Sequence, residues 1–106
     1  MIVAVVNFPL PEGISLAEYT ESMKTNISRY QGLDGLLRKN YLFDPDRHLG
    51  GAVYVWQSRR QAEACYSPEF VERITAAYGP PQIQYFETPI LVDNEANRVV
   101  DLTAKA

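Results

Sequence analysis

The sequence predicts an α+β fold with the element order β-α-β-β-α-β. Three observations carry this reading. Ser15-Leu16-Ala17-Glu18 and Ser58-Arg59-Arg60-Gln61 are capping boxes, and each opens a helix. Short β-branched apolar runs precede them, at residues 2–8 (IVAVVNF) and 51–57 (GAVYVWQ). Asp44-Pro45-Asp46-Arg47-His48 is turn chemistry between two such runs, so the strands on either side pair as a hairpin.

The first strand spans residues 2–8. Pro9-Leu10-Pro11-Glu12-Gly13 follows as a loop, because two prolines cannot donate to a ladder. The first helix runs from its Ser15 cap to about Gln31, with Leu16, Tyr19, Met23, Ile27 and Tyr30 at helical spacing, and Gly32 ends it. Residues 35–43 (GLLRKNYLF) form the second strand. Alternation puts Leu37, Lys39, Tyr41 and Phe43 on one face and Leu36, Arg38, Asn40 and Leu42 on the other. The third strand, 51–57, returns beside it. A short helix then reaches about Tyr66, and Ser67-Pro68 starts another, with serine as cap and proline at the first position. Its apolar side holds Phe70, Val71, Ile74, Ala77 and Tyr78, and Gly79-Pro80-Pro81 stops it. Residues 82–92 (QIQYFETPILV) read as a fourth strand, with Pro89 marking an edge or a bulge. The result is a ferredoxin-like domain, residues 1–94, whose second crossover helix is split, followed by a tail at 95–106.

A chain of 106 residues with 46% hydrophobic and 22% charged content fits one globular domain. A net charge of −3 and no basic run longer than Arg59-Arg60 argue against nucleic acid or an anionic membrane as partner. The apolar runs are too short to span a bilayer, and the first residues lack the basic segment of a signal peptide. One cysteine, Cys65, cannot form an internal disulfide, so the expected compartment is the cytoplasm.

Right-handed crossovers put all helices on one face of the sheet. Yet the first and third strands are apolar on both faces: Val3 and Val5 against Ile2, Ala4 and Val6, and Val53 and Val55 against Ala52, Tyr54 and Trp56. A bare apolar sheet exceeds the roughly few hundred Å² that monomers expose. A homodimer joined sheet to sheet is the expected cover, with Val99, Val100 and Leu102 of the tail strapped onto the partner.

The stretch from Gly35 to Asn94 carries further words: Gly35-Leu36-Leu37-Arg38-Lys39, Gly50-Gly51-Ala52-Val53-Tyr54-Val55-Trp56-Gln57-Ser58-Arg59, Ala62-Glu63-Ala64, Tyr78-Gly79, and Tyr85-Phe86-Glu87-Thr88-Pro89-Ile90-Leu91-Val92-Asp93-Asn94. In these the chain resembles the YdhR-like monooxygenases of the dimeric α/β-barrel superfamily. The resemblance implies a ferredoxin-like protomer, a dimeric α/β barrel and monooxygenase activity. A haem-degrading branch of that superfamily uses an asparagine late in the first strand, a tryptophan and a histidine. Asn7 matches the first, but the others fall near Ala64 and Ile74, which cannot replace them. The resemblance therefore points to the cofactor-free branch.

Cofactor-free oxygenation needs a dry pocket, a base and hydrogen bonds for a developing anion. The sequence has no GxGxxG, Walker, HExxH or paired-cysteine motif, so no cofactor and no metal are expected. Lys39 is the candidate base or anion clamp: mid-strand among apolar neighbours, its amine is desolvated if that face is covered. The plain alternative is a stem on apolar surface with its head in water. Asn7 is the second catalytic candidate, its amide offered to a substrate oxygen or spent on closing the strand end. Tyr41, Tyr54, Trp56 and Tyr66 are the candidates for the walls of a pocket for a small apolar or aromatic substrate, or else plain core. Tyr78, Tyr85 and His48 are weaker candidates. The same fold also suits a non-catalytic ligand-binding dimer, or an isomerase or lyase.

Overall fold

A computed structural model describes residues 1–103, and the end of the expected tail, 104–106, lies outside the described residues. The strands are β1 (Ile2–Pro9), β2 (Leu36–Asp44), β3 (Leu49–Trp56), β4 (Gln82–Glu87), β5 (Ile90–Asp93) and β6 (Arg98–Asp101). The helices are α1 (Leu16–Lys24), α2 (Ile27–Tyr30), α3 (Arg59–Cys65) and α4 (Pro68–Ala77). An antiparallel four-stranded sheet runs β2-β3-β1-β4, the ferredoxin-like arrangement expected. The helices pack on one face, where Ile2, Ala4, Val6 and Phe8 of β1 are buried together with Ala52, Tyr54 and Trp56 of β3. Val3, Val5, Val53 and Val55 point to the other face and are half-buried.

Gly51 fixes the sheet near its centre. Its φ of +141° disfavours any side chain, and a Cβ there would lie 1.8 Å from the Val6 carbonyl oxygen. The missing side chain of the neighbouring Gly50 admits the buried Tyr19 hydroxyl, 2.9 Å from where a Cβ would stand, and that hydroxyl accepts from the Gly51 amide at 3.0 Å and donates to the Gly51 carbonyl at 3.3 Å.

Four expectations are corrected. The single helix from Ser15 to Gln31 breaks after Lys24. Thr25 turns its hydroxyl back onto the Ser22 carbonyl at 2.7 Å, and Asn26 leaves the helical region at φ −114°, ψ 4°. The expected stripe breaks with it: Tyr19 and Met23 are buried, whereas Leu16 and Ile27 are exposed. On β2, an irregularity between Leu36 and Arg38 moves Leu36, not Leu37, onto the helix face with Lys39, Tyr41 and Phe43. The second capping box is half made: Ser58 accepts from the Gln61 amide, but the Gln61 carboxamide binds the Ser58 hydroxyl and Asp34 instead of the Ser58 amide.

The fourth correction concerns residues 82–92, which divide at Thr88-Pro89. The β4 half pairs with β1, and the β5 half pairs with β6 in a separate hairpin, so the expected tail is partly a strand. Asp93 closes that hairpin by accepting from the Glu95 and Ala96 amides, each at 3.1 Å.

Candidate functional site

The site begins with the register of β2. Lys39 pairs with Tyr54 across the ladder, and the alternation of both strands aims them at the helices. The Lys39 Nζ lies 3.3 Å from the Tyr30 ring centroid, 4.1 Å from that of Tyr41 and 4.7 Å from that of Tyr54. Among the described residues no ion pair and no hydrogen bond engages this amine. The break between α1 and α2 brings Tyr30 over the lysine and holds Tyr41, whose hydroxyl donates to Asn26 Oδ1 at 2.5 Å. Arg73 and Ile74 of α4 close the other side.

These residues enclose a cavity of ≈ 50 Å³ floored by Val6 and Ala52. Beyond Tyr30, Lys39 and Tyr41 lies a second groove of ≈ 280 Å³, walled by Ile27, Gly32 and Leu36. The three side chains line both spaces and so form the partition between them.

Burial pushes the Lys39 amine down to about 7, and the positive charges of Arg73 and Arg29 act in the same direction. The Cys65 thiol would oppose this as an anion, but its own burial raises its pKa and keeps it neutral where Lys39 titrates. The three ring faces favour the ammonium by about 0.5–2 kcal/mol in such settings, which limits the fall. Burial also raises Tyr41, to about 12, and raises Tyr54 further, so both phenols keep their protons at neutral pH. The arrangement thus offers an amine of lowered pKa beside the Tyr54 phenol, with the Tyr41 hydroxyl donated to Asn26.

The other sequence candidates divide. Tyr41 and Tyr54 stand in the cavity wall with Lys39. Trp56 and Tyr66 stand behind Tyr54 in the core: Trp56 is 0% exposed, and its indole N–H donates to the Tyr66 hydroxyl at 3.1 Å. Asn7 lies elsewhere, in a shallow hollow beside Leu42, Asp44 and Arg47, with its amide donating to the Gly50 carbonyl at 3.4 Å. Tyr78 lines the cavity, stacked on Phe8 with its hydroxyl 2.6 Å from Ser22 Oγ. Tyr85 packs against Tyr66 and under Arg59, and His48 is an exposed turn residue with φ +54°. The structure also brings in Tyr30, Asn26 and Arg73, which the sequence does not mark for this site. Tyr30 read as helix stripe, and neither Asn26 nor Arg73 carries a sequence signal that separates it from surface polar residues.

This fold recurs in solved structures. ActVA-Orf6, a monooxygenase of Streptomyces coelicolor crystallised with nanaomycin D, superposes with a TM-score of 0.64 at 20% identity, over 82% of this chain and 86% of its own. SnoaB, a cofactor-independent oxygenase from Streptomyces nogalater, gives 0.58 at 20% identity, over 82% and 91%. MhuD, crystallised with two manganese protoporphyrin IX molecules per active site, gives 0.67 at 14% identity, over 88% and 99%. The chain shares the α+β ferredoxin-like fold of these proteins. At such identities the likeness is one of fold. No protein-family model matches the sequence, and no curated protein matches it.

Proposed function

We propose that the protein is a cofactor-independent monooxygenase of the YdhR-like kind, working as a cytoplasmic homodimer on a small apolar or aromatic quinol- or anthrone-like substrate. The observation that carries this reading is the unpaired Lys39 amine beside a cavity on a fold shared with two oxygenases. Neutral Lys39 would take the acidic proton of the substrate. Tyr54, protonated at neutral pH, would donate to the resulting anion, and Tyr41 would do so on releasing its hydrogen bond to Asn26. The electron-rich anion reduces O2 directly. For an anthrone, the ring CH2 becomes C=O, one oxygen atom enters the product and the other leaves as water, so the substrate supplies all four electrons.

A cavity of ≈ 50 Å³ is too small for an aromatic substrate, which needs roughly 300 Å³ or more. The partition supplies the remedy. Tyr30 sits on α2, a single turn with no buried residue and no side-chain cap. Outward movement of α2 would join the cavity to the ≈ 280 Å³ groove beyond it.

Oxygen uptake with anthrone and quinol compounds is the test. Lys39→Met should lower the rate about 100-fold, the usual scale of a lost general base. Uptake that Lys39→Met leaves unchanged, or no uptake over a broad panel, would sink the reading. Binding without turnover would instead identify a non-catalytic ligand-binding dimer, and turnover without oxygen an isomerase or lyase.

A further inference from the structure

We propose that Lys39 Nζ is a nucleophile that captures small aldehydes and ketones in this cavity as a Schiff base. The proposal uses the same cavity as the oxygenase reading but needs neither oxygen nor the movement of α2.

Three observations carry it. The amine has no carboxylate and no hydrogen-bond acceptor among the described residues, so no anion holds its proton. Arg73 and Arg29 are the charged groups that act on it, both positive, and Cys65 is neutral. The cavity next to it, ≈ 50 Å³, holds about two to four water-sized groups, which matches a carbonyl compound of a few heavy atoms and excludes a fused ring. Lowered lysine amines in apolar sites are suited to such condensation.

The step balances without a redox partner. The amine lone pair attacks the carbonyl carbon, a C–N bond forms, and the C=O π pair moves to oxygen. One amine proton passes to that oxygen and gives a carbinolamine. Loss of the hydroxyl with the second amine proton, as one water, leaves C=N. Tyr54 stays protonated at neutral pH, and its ring lies 4.7 Å from the amine, so its phenol is the group offered to protonate the departing hydroxyl, while the Tyr41 hydroxyl is donated to Asn26.

The test is reductive trapping on the intact wild-type protein. Propanal and sodium cyanoborohydride are added at pH 7 under nitrogen, and labelled peptides are mapped by mass spectrometry. Lys24, exposed and paired with Glu21, is the internal reference. Lys39 should alkylate on the order of 100-fold faster than Lys24, because about half of its amine is neutral at pH 7 against under about 0.1% for an ordinary lysine. The preference should shrink at least tenfold with a naphthaldehyde, which is too large for a cavity of ≈ 50 Å³. Equal labelling of the two lysines, or no label on Lys39, overturns the proposal. Trapping at Lys39 without oxygen uptake from any quinol would uphold it while the oxygenase reading fails. Oxygen uptake without trapping would do the reverse.

Discussion

Lys39 occupies its place because β2 alternates toward the helices after its irregularity at Leu36 to Arg38, and three tyrosines from two strands and α2 meet it there. Its lowered pKa makes a stability prediction. The folded protein gives up this proton near pH 7, whereas the unfolded chain keeps it to about 10.5. Between those values the unfolded state binds more protons, so stability rises with pH. The burial penalty is fully present below pH 7 and is relieved as the pH climbs. Above about pH 10 the raised Tyr41 and Tyr54 reverse the trend, since the unfolded chain then loses phenolic protons first. Urea midpoints between pH 6 and 9.5 should therefore rise in wild type relative to Lys39→Met. Parallel curves would show that Lys39 titrates as an ordinary lysine. At Gly51 the expectation concerns backbone: Gly51→Ala should cost roughly 2–4 kcal/mol in urea unfolding, since it combines strained φ with a Cβ against the Val6 carbonyl. A loss under about 0.5 kcal/mol, the scale of a neutral surface change, would contradict it.

Two elements depart from the regular pattern, and both bear on the site. α2 has four residues, none buried, and its N-cap Asn26 makes no capping hydrogen bond. It is held chiefly through Tyr30 on the lysine and the Tyr41 to Asn26 hydrogen bond. Native-state hydrogen exchange should show its amides, residues 29–31, opening with far less free energy than those of β1 and β3, by several kcal/mol. Equal protection would remove the proposed opening of the partition. The β5–β6 hairpin is the other departure. It makes no ladder with the main sheet, and Ile90, Val92 and Val99 are exposed at 58%, 63% and 70%. A two-stranded hairpin is marginal alone in water. A groove of ≈ 520 Å³ separates it from Leu37, Arg38 and Val55 of the uncovered sheet face.

At the scale of the whole molecule, helices cover one sheet face, and among the described residues none lies on the other. Val3, Val5, Val53 and Val55 lie on the uncovered face, and Phe86 is 51% exposed there. The expected partner for this face is a second copy of the chain, with the β5–β6 arm reaching over it. Sedimentation at micromolar concentration should give twice the 12.0 kDa protomer mass, and Val55→Asp should return the monomer. A well-folded wild-type monomer would refute the sheet-to-sheet interface.

The β-α-β-β-α-β order was readable because it rests on local rules. Capping serines at 15, 58 and 67, turn residues at 44–48 and β-branched alternation in β1 and β3 act over a few residues. The Asp93 to Asn97 turn was equally local, and its Asp-Asn and Asn residues before Val99-Val100 would have supported a hairpin there. Other features are long-range. Alternation separates Tyr54 and Trp56 from Val55, but whether that pair meets helix or partner depends on which face α3 and α4 cover. The structure puts it against the helices, with Tyr54 at the cavity and Trp56 behind it. The irregularity that turns Leu36 inward, the break that seats Tyr30 over Lys39, and the arrival of Arg73 from α4 each arise from packing between distant segments. Residue identity supplies the lysine and the tyrosines; only the packing of these segments sets them 3.3 to 4.7 Å apart, where burial and nearby positive charge lower the amine's pKa.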